Sequence, residues 1–113
     1  MLLLYIYLVN VPSMEDGKLE EGLLETYEIR VKVLKAMAHP TRLFILDTLG
    51  DRGPMCVCEI NELIDIDVST LSKHISLLYN AGLVSRKKQG LNVFYNLKTP
   101  CILIPFSCIE SKS

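Results

Sequence analysis

At 113 residues, half of them apolar and 7% aromatic with no Trp, the chain has the length of one compact domain and falls short of most large enzyme scaffolds. Its formal charge of -1, from 12 Lys and Arg against 13 Asp and Glu, excludes a histone-like polybasic binder. The charges are unevenly placed: residues 1–67 hold twelve acids against six bases, whereas residues 68–109 hold Lys73, Arg86, Lys87, Lys88 and Lys98 and no acid. An acid-free segment beside an acidic one suits a surface that meets a polyanion while the rest keeps the protein soluble.

The stretch from Met1 to Val11 is strongly apolar but shorter than the ~20 residues that span a bilayer. No base precedes Lys18 and no small-residue cleavage pattern lies near Pro12 and Ser13, so it does not read as an export signal. The chain reads as cytoplasmic, with no membrane partner. Met14 opens a run of ordinary helix-leading composition, so residues 1–18 are expected to be an N-terminal extension, flexible or the product of an upstream start. Residues 19–113 are expected to form the single folded domain.

Apolar residues recur at Leu23, Tyr27, Val31, Leu34 and Ala38, one helical stripe that ends near His39 and Pro40. A second helix follows Pro40 and carries Leu43, Leu46 and Leu49. Beyond a Gly-Asp-Arg-Gly-Pro loop, Val57, Ile60, Leu63 and Ile64 predict a short third helix, with Pro54 in its first turn and Cys56 and Cys58 at its N-terminus. Asp65, Ile66 and Asp67 make a tight connection to a fourth helix, which Asp67 caps and in which Val68, Leu71, Ile75 and Leu78 form the apolar face. Ala81 and Gly82 end it. Two short strands joined through Gln89 and Gly90 predict a hairpin with a basic arm, and Thr99 and Pro100 open a last helix through about Glu110 that Pro105 interrupts.

The order is therefore ααααββα, mainly helical with a small β-hairpin. Two short helices joined by a tight turn, the second with a small polar and basic face, followed by a basic hairpin, describe a winged helix-turn-helix. A helix fits the major groove of double-stranded DNA. Ser69, Thr70 and Ser72 are short enough to let its backbone approach, and Lys73 and His74 reach phosphates or base edges. Arg86, Lys87 and Lys88 on the hairpin would neutralise phosphates and position the module. So few bases bind DNA weakly as one copy, so a two-fold homodimer reading a palindromic operator is the expected working unit, built through the N-terminal and last helices.

The segments from Leu34 to Leu43, Met55 to Ile60, Ser69 to Ile75 and Asn80 to Val84, taken in that order, resemble the ArsR/SmtB family of metal-sensing repressors over roughly residues 25 to 110. The resemblance implies a homodimeric repressor that leaves its operator when an inducer binds. Cys56-Val57-Cys58 is similar to the cysteine pair of the family's arsenite and antimonite sensors, a position that some cadmium and lead sensors also use. Thiolates are soft donors that suit such ions, and a helix N-terminus lowers thiol pKa.

Residues i and i+2 of an α-helix point to different sides, so Cys56 and Cys58 are expected to clasp one ion only if the first turn distorts, a distortion that would shift the recognition helix. Asn61 stands where the familiar arsenite pattern has a third cysteine. A third thiolate then falls to Cys101 or Cys108, which are ~10 Å apart along a regular helix and so cannot both serve one small ion. Cys101 is the better placed, just behind Thr99 and Pro100.

Arsenite or antimonite, needing three thiolates, fits four cysteines best; cadmium, lead and zinc are the alternatives. The last helix has no His for a zinc site, and no cysteine precedes Cys56 for the cadmium and lead pattern. Thiol oxidation, or sulfide acting through a disulfide, is a further alternative inducer. A thiol enzyme would want a C-x-x-C or nucleophile motif, and the chain has none, so no catalytic residues are expected. A bare protein-interaction module would leave the acid-free stretch and the C-x-C unexplained.

Overall fold

The computed structural model describes residues 21–98, 100–103, 106, 109 and 110. The expected extension over residues 1–18 lies outside them. The chain divides into two compact units, Met1–Val31 and Lys32–Ser113. Helix α1 runs Glu21–Met37, with Lys35 in its last turn where a cation complements the helix dipole. Within the first unit, Thr26 Oγ1 donates to the Gly22 carbonyl at 3.1 Å and the Arg30 guanidinium lies 5.4 Å from the Tyr27 ring centroid. Leu23 and Tyr27 of the expected stripe are half-buried, but Val31 and, in the second unit, Leu34 are exposed, as are Leu24 and Ile29. Ala38 lies beyond the helix end.

The second unit builds the core. Helix α2, Pro40–Arg52, begins with Pro at its first position, where the missing N–H costs nothing, and His39 caps it by accepting the Thr41 N–H on Nδ1 at 3.1 Å. It ends where Gly53, at φ 83°, turns the chain out of the helix and donates its N–H to the Leu49 carbonyl. Then comes an element that periodicity did not reveal. Met55–Cys56 is a two-residue strand, β1, and Pro54 leads into it instead of into a helix.

Helix α3 is only Val57–Asn61, so Leu63 and Ile64 fall in the following turn, which Asn61 fastens by donating Nδ2 to the Ile66 carbonyl at 2.9 Å. Helix α4, Val68–Asn80, closes on Gly82, with the Leu83 N–H on the Leu78 carbonyl and the Gly82 N–H on the Tyr79 carbonyl, the double bond of a Schellman motif. Strands β2, Val84–Gln89, and β3, Asn92–Leu97, meet through a two-residue turn at Gly90 and Leu91. The sheet has three strands in the order β1-β3-β2, all antiparallel neighbours, where a two-stranded hairpin was expected.

Ile45, Leu46 and Leu49 of α2, Ile60 of α3, Leu71, Ile75 and Leu78 of α4, and Val84 of β2 are almost wholly removed from water. Each such aliphatic side chain stabilises the fold by roughly 1.5–3 kcal/mol. These contacts seat α4 on α2 and α3, and tie the wing to α2 and α4. The arrangement is a winged helix-turn-helix: α3, turn, α4, then the β2–β3 wing. After β3 the chain makes a 3-10 turn, Pro100–Leu103, where the last helix was expected to open. Pro105 lies outside the described residues.

Candidate nucleic-acid interface and thiol site

The sequence-expected DNA residues of α4 separate into three groups. Asp67 is a one-carboxylate cap: its Oδ2 accepts from the Thr70 N–H at 3.2 Å, the Thr70 hydroxyl at 2.8 Å and the Ser69 hydroxyl at 2.8 Å. Those hydrogen bonds hold the Asp67 carboxyl below its ordinary range, the Thr70 hydroxyl contributing most. Ser69 and Thr70 are exposed, but their hydroxyl protons are committed to the cap, which leaves them as acceptors toward a ligand. Lys73 is exposed and Ser72 half-exposed. With Ser76, Leu77 and Asn80 they line a shallow outward depression. Ser76 belongs to the polar outer face that the sequence gives this helix, whereas Leu77 and Asn80 had not been singled out on it, although the 72–73–76–77–80 spacing is one helical face.

His74 goes elsewhere. It is half-buried, turned toward α2, with its ring centroid 4.5 Å from that of His39 and its Nδ1 3.3 Å from Nη1 of Arg42. A residue expected to reach phosphates or base edges is thus packed between α4 and α2. Burial, then the nearby His39 and Arg42, lowers its pKa from the ordinary histidine value. Arg42 and His39 were not picked out as site residues, because no local spacing links them to α4.

On the wing, Arg86, Lys87 and Lys88 are all exposed, but alternation along β2 sends them to different faces. Arg86 lies over the Tyr79 ring at 4.1 Å from its centroid, a cation–π contact that holds the guanidinium against the end of α4. Lys87 is on the opposite face, where it lines a groove with Pro54, Ser85, Gln89, Phe94 and Asn96.

The cysteine pair is not two helical residues. Cys56 is extended, at φ -83° and ψ 165°, and Cys58 is inside α3, so the strand-to-helix junction turns both side chains to one place. Their Cα atoms are 5.4 Å apart and the two Sγ atoms are bonded as a disulfide. The expectation that the pair needs a distorted helical turn to converge is corrected for this reason: the helix starts one residue later than the C-x-C. Cys56 is buried, its N–H donating to the Glu59 carboxylate at 3.2 Å, and Cys58 is exposed. Cys101 has its backbone in the 3-10 turn, its side chain outside the described residues; Cys108 lies wholly outside them. Among the described residues no group of three or more His, Cys, Asp or Glu converges to hold a metal ion. No described helix is long and apolar enough to cross a membrane.

Residues 39–86, from the cap of α2 into the wing, match the model of the bacterial regulatory protein, arsR family. The arsenical resistance operon repressor of Bacillus subtilis is 36% identical over 84 residues, which cover 74% of this chain and 75% of that protein. A homolog of the cadmium resistance regulatory protein CadC from Staphylococcus aureus is 38% identical over 66 residues, 58% of this chain and 54% of that protein. Among solved structures, NolR from Sinorhizobium fredii superposes with a TM-score of 0.71 at 28% identity, over 87% of this chain and 95% of that one.

Proposed function

Because this chain belongs to the arsR family of DNA-binding bacterial regulators, we propose that it is a repressor that holds operator DNA as a homodimer and releases it when arsenite or antimonite binds its cysteine thiolates. One observation carries the inducer reading: the junction of β1 and α3 brings the sulfurs of Cys56 and Cys58 together. Reduced, they are two soft donors already side by side, two of the three that a trivalent thiophilic ion takes. The third donor is Cys101 or Cys108, from the same or the partner subunit. Asn61 is committed to fastening the turn and supplies none.

The α4 face of Ser69, Thr70, Ser72 and Lys73 is read as the groove-facing surface, and Lys87 and Lys88 of the wing as phosphate contacts, with Arg86 placed for the same task by Tyr79. Self-association is supported by Leu24, Ile29 and Val31 of the first unit, large apolar side chains left exposed in the single chain. Light scattering of Ile29→Glu, expected to be monomeric where the native chain is dimeric, tests that part.

The decisive experiment is fluorescence anisotropy of the reduced protein on a labelled duplex from upstream of its own gene, titrated with arsenite at fixed salt, since phosphate contacts make affinity steeply salt-dependent. Release at near-stoichiometric arsenite is expected. Binding that arsenite leaves untouched, but cadmium, lead or zinc abolishes, moves the inducer to those ions.

A second reading rests on the Cys56–Cys58 disulfide itself. In it, an oxidant or a sulfane sulfur donor converts the two thiols to the disulfide and so releases DNA, and reduction restores binding. Reversible release by oxidant with no response to arsenite favours this reading over the first.

A further inference from the structure

Arg42 is half-buried and spends its guanidinium on three acceptors from two other elements. Nε donates to the Ala36 carbonyl at 2.6 Å, Nη2 to the Lys35 carbonyl at 3.4 Å, and Nη1 meets His74 Nδ1 at 3.3 Å. The two carbonyls belong to the last turn of α1, where backbone acceptors lack helical partners. One α2 side chain therefore links the end of α1 to the middle of the recognition helix, 32 residues further along.

A guanidinium has donors only, so the bond to His74 requires Nδ1 to be a lone-pair acceptor and the ring neutral, with its proton on Nε2. Burial lowers the His74 pKa most, and His39 and Arg42, the two basic groups acting on that ring across the helix interface, lower it further. Protonation would remove the acceptor and set an imidazolium against the Arg42 cation.

We infer that Arg42 is a positioning residue for DNA binding, a clamp that holds α4 for the groove only while His74 is neutral. The inference rests on the reading of α4 as the DNA-facing helix. The direction is fixed by linkage: with the folded pKa below the ordinary 6.5, the clamp is complete above that value and is lost as pH falls through the depressed one. Simple electrostatics runs the other way, because extra positive charge at low pH tightens binding to phosphates.

The test is anisotropy on the same duplex from about pH 7.5 to about pH 5 at fixed salt, with far-ultraviolet circular dichroism confirming the fold at each point. Wild type is expected to lose roughly tenfold in affinity, the scale of one charge-assisted hydrogen bond. His74→Asn, which keeps an acceptor near the Nδ1 position and does not titrate, is expected to hold its affinity over that range. A wild-type affinity that rises or stays level on acidification overturns the inference, as does a His74→Asn profile that follows wild type.

An NMR titration of the His74 ring adds a readout that a merely structural role would not move. In Arg42→Gln the His74 pKa should rise toward the ordinary value, and an unchanged pKa counts against the clamp. Should Arg42→Gln fail to fold, the comparison of wild type with His74→Asn stands by itself. Absence of DNA binding at every pH would instead strike the reading of α4, with the histidine titration still deciding the Arg42–His74 coupling.

Discussion

Cys56 is the register partner of Phe94 in the β1–β3 ladder. Phe94 is in turn the partner of Lys87 across β3 and β2, so one row of the sheet runs from the thiol pair to the outward face of the wing. Side chains opposite one another in an antiparallel ladder share a face, and it is this face that forms the groove lined by Phe94 and Lys87. A change at Cys56 therefore has a route to the wing besides the path from α3 into α4, the only one that spacing had suggested.

That row predicts the behaviour of Phe94→Leu. The variant should bind DNA within about threefold of wild type and still bind arsenite, followed by thiolate–arsenic absorption, but its arsenite-induced loss of affinity should shrink by at least about fivefold, the lower end of ordinary coupling energies. Undiminished coupling would assign the signal to the α3–α4 path.

Burial sets the order of thiol reactivity. Cys56 is 5% exposed whereas Cys58 is exposed, so limiting iodoacetamide on the reduced protein should label Cys58 several times faster. Peptide mass spectrometry reads the ratio, and preferential labelling of Cys56 would contradict the placement of the α3 start.

The wing cations differ in how they are held. Lys87→Ala or Lys88→Ala should each weaken DNA binding across all sequences and reduce the salt slope by about 1. Tyr79→Leu leaves the Arg86 charge but removes the ring beneath it, so it should weaken binding with the slope nearly unchanged. Anisotropy over a series of salt concentrations separates the two effects.

Asp67 ties helix capping to pH. Its carboxyl is held below the ordinary 3.8 by hydrogen bonds from Thr70 and Ser69, so the stabilisation is present above that value and is lost as pH falls through the depressed one. Asp67→Ala should lower Tm near neutral pH, and the two melting curves should converge in strong acid. A constant gap across the acid range would show that the cap does not depend on the charge.

Much of this architecture was legible along the chain because its signals are local. Pro40 at the first position of α2, Asp67 before α4, Gly82 after it and Gly90 between the strands each satisfy a backbone requirement set by the nearest few residues, and the observed boundaries fall there. The apolar positions of α4, Leu71, Ile75 and Leu78, repeat at helical spacing and are all buried. The outward set was only partly readable: Lys73 and Lys87 are exposed as their chemistry suggested, but Ser69 and Thr70 double as donors to the cap.

Helical period, caps, the basic wing and the C-x-C pair thus follow from residues within a few positions of one another, and they suffice for a winged helix-turn-helix with a thiol site beside it. Only long-range contacts decided how those parts are joined. A strand of two residues has no period of its own, and β1 exists because Met55 and Cys56 find Tyr95 and Phe94 as backbone partners. That pairing keeps Cys56 extended, delays the start of α3 and brings the two sulfurs together. The direction of His74 was likewise decided by Arg42, a hydrogen-bond partner from a different helix that only the packing of α2 against α4 brings into reach.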